Sequence, residues 1–241
     1  MTTRYVSAGR TVTGKVRKHN EDAILVRGEV GLWVVADGLG GHSAGDYAST
    51  MIVDRLAALP RSGSVFDFIE AIEDTLVQIN ADLLQTAATR GVDLIGSTVV
   101  VLVSDADFML CGWVGDSRAY CFEEGRLQQI TRDHVHGGEV DVTQFAGSSA
   151  PTPPQAGSGV LTRAVGAEDQ LFVDWVVAGN RPGSSFVLCS DGINKEMSDA
   201  ELLEQCRNHP QPEELVASLF DLAMSRAGRD NISAVVVGLQ A

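Results

Sequence analysis

At 241 residues and 25.6 kDa the chain is long enough to bury one large core, and a composition of 44% hydrophobic and 21% charged residues excludes the disordered and fibrous classes. Eighteen Lys+Arg against 32 Asp+Glu leave a net charge of -14, a field that repels DNA, RNA and anionic lipid and attracts cations. No basic run interrupts that field, so neither nucleic acid nor a membrane is an expected partner. Cys111, Cys121, Cys189 and Cys206 lie far apart, without CxxC spacing, and three sit in apolar runs; they read as buried thiols in a reducing compartment. The N-terminus has no apolar signal-like stretch and no apolar run approaches the roughly 18 residues of a membrane span, so the expected location is the cytoplasm.

In chain order, a polar start gives way to two apolar runs, Ala23 to Val26 and Leu32 to Ala36, which predict a hairpin ending in a Gly-rich loop. Ser43 to Leu59 predicts a helix with Ser43 as N-cap, an apolar stripe of Ala44, Ala48, Ile52 and Leu56, and a stop at Pro60. Val65 to Ala88 predicts a longer helix, with Phe68, Ile72, Leu76, Ile79 and Leu83 on one face. From Ser97 to Ile130 the pattern becomes β-branched and turn-punctuated, which predicts three or four sequential antiparallel strands. Thr131 to Ser158 is rich in Gly, Ser and Pro and reads as a surface insertion. Strands follow at Leu171 to Val177 and Ser185 to Ser190. Next come a helix with Ser198 and Glu201 at capping-box spacing, a helix from Pro212 to about Met224, and a C-terminal strand. Turns this short cannot carry crossovers, so an antiparallel α/β sandwich is favoured over a doubly wound sheet. Trp33, Trp113 and Trp175 read as core.

Six acids stand at strand ends or in glycine-containing turns: Glu21 and Asp22 in NEDA, Asp37 in VVADGLGG, Asp116 in WVGDSRAY, Asp191 in FVLCSDG and Asp230 in GRDNISAVVV. An isolated Asp-Gly is more often a turn than a ligand. Several carboxylates delivered by apolar strands are costly unless paired or metal-bound, and their hard oxygens suit Mg²⁺ or Mn²⁺.

Gly14-Lys15-Val16-Arg17, Asn20-Glu21-Asp22, Asp37-Gly38-Leu39-Gly40-Gly41-His42, Gly96-Ser97-Thr98, Gly115-Asp116-Ser117-Arg118, Leu161 to Gly166, Ser190-Asp191-Gly192 and Asp230-Asn231 form an ordered set spanning almost the whole chain. In this set the chain resembles the metal-dependent protein phosphatases of the PP2C type, in their compact bacterial serine/threonine form. The resemblance implies an α+β fold, a four-layer α-β-β-α sandwich of two stacked antiparallel sheets flanked by helices. It also implies a single catalytic domain over 1–241 with a flap-like insertion at about 131–160.

Carried over by position, Asp37 corresponds to a carboxylate bridging two metals, with the Gly38 carbonyl as a further ligand. Asp191 and Asp230 correspond to ligands of the first metal, and Glu21 to a residue that reaches the second through water or directly. Asp22 corresponds to an acid that orients ligand water or binds through it, and Asp116, with Asp191, to the site of a weaker third ion. Arg17 corresponds to the arginine that holds the substrate phosphate. The implied cofactors are two Mn²⁺ or Mg²⁺ ions plus that third, and the implied reaction is attack of a metal-bridging hydroxide on phosphoserine or phosphothreonine, without a phosphoenzyme. Animal-type members have a histidine after the Asp-Gly pair as proton donor; here Leu39 stands there, which points to metal-bound water, with His42 as reserve acid.

Arg118 and Arg163 are expected in structural ion pairs, and Asp133, His134 and His136 in a solvated loop. The expected partners are phosphoproteins made by a cognate serine/threonine kinase, met by a monomer, and the short chain particularly resembles phosphatases encoded with type VI secretion systems. A catalytically silent scaffold is disfavoured because Asp37, Asp191 and Asp230 are all present, and a two-metal nuclease because no basic track exists.

Overall fold

The computed structural model describes residues 4–40, 44–136 and 160–240. The first sheet has the order β1 (Arg4–Val12), β11 (Ile232–Gln240), β10 (Ser185–Cys189), β7 (Arg118–Glu123), β8 (Arg126–Gln129). The second runs β2 (Asp22–Arg27), β3 (Leu32–Gly40), β5 (Val99–Ser104), β6 (Phe108–Val114), β9 (Asp174–Gly179), with β4 (Ile95–Ser97) on the far end of β3. All pairings are antiparallel. Helices α1 (Gly45–Ala57) and α2 (Val65–Arg90) cover the second sheet; α3 (Asp191–Asn194), α4 (Asp199–Asn208) and α5 (Pro212–Ser225) cover the first.

The two-sided burial follows from the strand period. Along β5, Val99, Val101 and Val103 pack toward α1 and α2 while Val100 and Leu102 face the other sheet. Along β11, Ile232, Ala234 and Val236 meet α5 while Val235, Val237 and Leu239 point between the sheets. Three apolar interfaces separate four layers, the expected α-β-β-α sandwich. Both faces of the central strands being dry, their sequences read as continuous apolar runs.

Ser198 and Glu201 form a reciprocal capping box, and Pro212 opens α5, as the spacing predicts. Other expectations need correction. Ser43 lies outside the described residues, and α1 is entered through Ala44 without a side-chain cap. The polar start holds β1, whose ladder with β11 fastens a strand of mixed residues. Most consequentially, β6 and β7 are not a hairpin: the chain leaves the second sheet at Gly115 (φ 111°) and enters the first at Arg118. A Cβ on Gly115 would lie 2.6 Å from Thr98, so only glycine permits that crossing. Strand β9 begins at Asp174; Leu171 and Val173 pack on the core before it without joining a ladder.

Candidate active site

The acids gather at one end of the sandwich, where both sheets deliver strand ends. Asp22 opens β2 and sits opposite Asp37 in the β2–β3 register. Strand β3 pairs with β5 up to Val35 and with β4 from Gly38, so Asp37 falls at the break between the two ladders. Its carbonyl accepts from Thr98 N (2.8 Å) and Ser97 Oγ (2.9 Å), which explains the Gly-Ser-Thr motif as a clamp on this backbone. Asp116 lies in the crossing between sheets, beside Ser117, whose buried hydroxyl shares a 2.7 Å hydrogen bond with Thr98. Asp191 begins α3 directly after β10, and Asp230 precedes β11. A Cβ on Gly192 would come within 1.9 Å of the Asn231 carbonyl, so the glycine lets these two segments close on one another.

The shifts of these acids follow from burial and from one another's charge. The Asp37 carboxyl is pushed well above the ordinary range, first because surrounding protein strips its hydration although part of its surface is open, then by the charges of Asp22, Asp191, Asp116 and Asp230. Burial, with Asp191 and Asp133 nearby, raises Asp116 to about 6. Burial likewise raises Asp22 to about 6, against hydrogen bonds from Ser233 Oγ (2.6 Å) and Ser190 Oγ (2.8 Å) to its Oδ2. Asp191 is raised by burial in spite of Lys195. Asp230 goes the other way: burial opposes, but Lys195 and Arg17 hold it low. Arg17 grips it with two prongs, Nε to Oδ1 at 2.9 Å and Nη2 to Oδ2 at 3.1 Å, and Lys195 Nζ reaches Oδ2 at 2.9 Å while also pairing with Asp191.

Glu21 is placed by its backbone. Its N–H donates to Asn231 Oδ1 (2.8 Å), and its carbonyl accepts from Gly38 N (3.0 Å) and Ser49 Oγ (2.6 Å). A Cβ on Gly45 would meet the Gly38 carbonyl at 2.8 Å and the Glu21 carboxyl carbon at 3.0 Å. A bare glycine at the start of α1 therefore leaves open a cradle edged by two of the expected ligands.

Among the described residues, no three His, Cys, Asp or Glu side chains are already drawn into a closed metal-holding set. The donor chemistry nevertheless fits a hard divalent cation: every donor is oxygen, the buried Asp22 Oδ1 has no hydrogen-bond partner, and the Gly45 cradle is open. His42 lies outside the described residues. Leu39 occupies the strand position beside Gly38 and carries no proton to give.

Several contributors have roles that the sequence reading did not assign. Asn231 holds Glu21 N and also donates to the carbonyls of Thr13 and His19 at 2.9 Å each, so it fastens the loop that carries Arg17. Ser190 stood in its motif without a role, and Ser233, Gly45 and Lys195 had no spacing signal. Asp133 and His134 are not solvated. Arg118 donates to both Asp133 oxygens (2.8–3.1 Å), and buried His134 accepts from Gly115 N at Nδ1 (3.0 Å). That bond leaves the proton on Nε2, which donates to Asp174 Oδ2 (2.9 Å), itself held by Arg163.

Clustered oxygen donors with a guanidinium at their edge, on this sandwich, define a metal-dependent phosphohydrolase. Residues 14–234 match the protein phosphatase 2C family, and the chain belongs to that family of serine/threonine protein phosphatases. It is 31% identical over 238 residues to the serine/threonine phosphatase stp of Listeria innocua, covering 95% of this chain and 93% of that one. Among solved structures it is similar to PppA, described as a key regulatory component of the type VI secretion system in Pseudomonas aeruginosa, at 41% identity, TM-score 0.89 and 99% of each chain. The catalytic domain of PstP in complex with two manganese ions aligns over 100% of both chains at 25% identity and TM-score 0.84.

Proposed function

We propose that the carboxylate cluster hydrolyses phosphoserine and phosphothreonine in proteins by direct attack of water on phosphorus, with no phosphoenzyme. The observation that carries this reading is the convergence of Asp37, Asp191 and Asp230, from β3, the start of α3 and the entry to β11, beside Arg17. Asp37 with the Gly38 carbonyl, Asp191, Asp230 and Glu21 would hold two Mn²⁺ or Mg²⁺ ions, and Asp116 with Asp191 a weaker third. Such ions supply positive charge to the phosphoryl oxygens and acidify water.

The chain's own residues do the rest. Asp22, hydrogen-bonded through one oxygen only, keeps the other to accept from a water in the cluster. Arg17, half exposed, offers the same two-pronged face to phosphoryl oxygens that it now presents to Asp230. The leaving oxygen takes its proton from water, since Leu39 has none. Asn231, through Thr13 and His19, holds the Arg17 loop against the segment that carries Asp230.

Residues 1–241 form one catalytic domain on this reading, and the flap-like insertion expected at about 131–160, of which 137–159 lie outside the described residues, selects among protein substrates. The enzyme is a cytoplasmic monomer opposing a serine/threonine kinase. No helix among the described residues is long and apolar enough to cross a membrane. Likeness to PppA supports a place in type VI secretion control. A panel of phosphopeptides, an aryl phosphate and single-stranded DNA, with and without Mn²⁺, tests the reaction: hydrolysis of the phosphomonoesters only, and only with metal, is expected.

A further inference from the structure

The chain has only three lysines, Lys15, Lys18 and Lys195, and one of them sits in the carboxylate cluster. Lys195 follows Asp191 by four residues, so the single turn of α3 stacks its side chain over that carboxylate. Its ammonium pairs with Asp191 and lies 2.9 Å from Asp230 Oδ2, spanning two of the acids that would hold the core metals. Compensation is uneven across the cluster: Asp191 and Asp230 have a lysine, and Asp230 also Arg17, while no lysine or arginine pairs with Asp37 or Asp116 among the described residues. A monovalent point charge thus stands between the donors that a divalent ion needs.

We infer that Lys195 is a built-in counter-ion that competes with divalent metal for Asp191 and Asp230, and so sets the metal concentration at which the site fills. In the absence of metal it offsets repulsion between two carboxylates. When metal enters, the ammonium must give up both contacts and is left repelled by the ion at short range. Its flexible stem and half-exposed position let it swing toward solvent, which makes the penalty moderate and the exchange reversible. Arginine at 195 would retain this competition; an uncharged residue would remove it.

The inference rests on the two-metal reading above, and its test separates the two. Full-length protein stripped of metal is titrated with Mn²⁺ by calorimetry, without substrate, and melted in chelator and in Mn²⁺. K195M is expected to bind its first Mn²⁺ on the order of tenfold more tightly than wild type. It should also melt lower in chelator and gain more from Mn²⁺, opposite shifts that a merely structural lysine does not produce. K195Q, which keeps a polar end without the charge, should behave as K195M does and covers a failure of that variant to fold. K195R should stay near wild type. Folded K195M or K195Q binding Mn²⁺ no more tightly than wild type overturns the inference alone. A wild-type protein that takes up no Mn²⁺ overturns the metal reading beneath it as well.

Discussion

In the proposed function Arg17 separates substrate recognition from assembly of the acid cluster. Among the described residues its guanidinium hydrogen-bonds to Asp230 alone, and half its side chain is exposed, so removal breaks no hydrogen bond of Asp37, Asp191 or Glu21 and takes away only a neighbouring positive charge. R17A should therefore still take up Mn²⁺ in calorimetry, while kinetics on a phosphothreonine peptide show KM up by about tenfold together with a lower kcat, because a charge-assisted contact serves bound substrate and transition state alike. R17K should recover only part, since one ammonium cannot reproduce two prongs. Asp37 and Asp116 differ in the same spirit. D37N should abolish uptake of both core ions, and D116N should keep them and lose only the third ion proposed for that site; Mn²⁺ per chain, measured for each, decides. The acids themselves were legible because each adjoins or interrupts an apolar strand, where a carboxylate without a task is expensive. Asn231, Gly45, Ser190 and Ser233 were not, because their roles lie in who approaches them from distant segments, and a single asparagine or glycine carries no period to betray that.

At the scale of elements, the acid cluster depends on close approaches between backbones. Gly192→Ala would drive a methyl into the Asn231 carbonyl, and the forced separation of α3 from the β11 entry should cost about 1–3 kcal/mol in denaturant unfolding, with weaker Mn²⁺ binding alongside. His134 ties the crossing at Gly115 to the strand β9. Burial holds its pKa below the ordinary imidazole value of 6.5, with Arg163 adding to the depression and Asp174 opposing it. A group depressed on folding contributes stability that is complete above 6.5 and is lost as pH falls through the folded value. Wild type should then exceed H134Q in stability at neutral pH, and the gap should narrow as the medium is acidified below 6.5, read from urea midpoints across that range. The helices were the most legible elements, since α2 shows its apolar stripe and α4 its cap. The assignment of β6 and β7 to different sheets was hidden: Gly115-Asp116-Ser117 looks like any tight turn until Thr98 is seen beneath it. Strand β1 was hidden for another reason, since its order comes from the β11 ladder and its own residues alternate weakly.

For the molecule as a whole, a net charge of -14 and a carboxylate cluster with few cations belong together. The acidic field concentrates divalent ions at the open end of the sandwich and discourages nucleic acid, while three dry interfaces keep the converging strand ends in place. The most direct measurement is phosphothreonine-peptide turnover by the full-length protein, first in chelator and then as Mn²⁺ is returned. Activity absent in chelator, restored along the Mn²⁺ binding curve and never restored in D37N is the predicted result. Full turnover by metal-free protein, or by D37N, would contradict it.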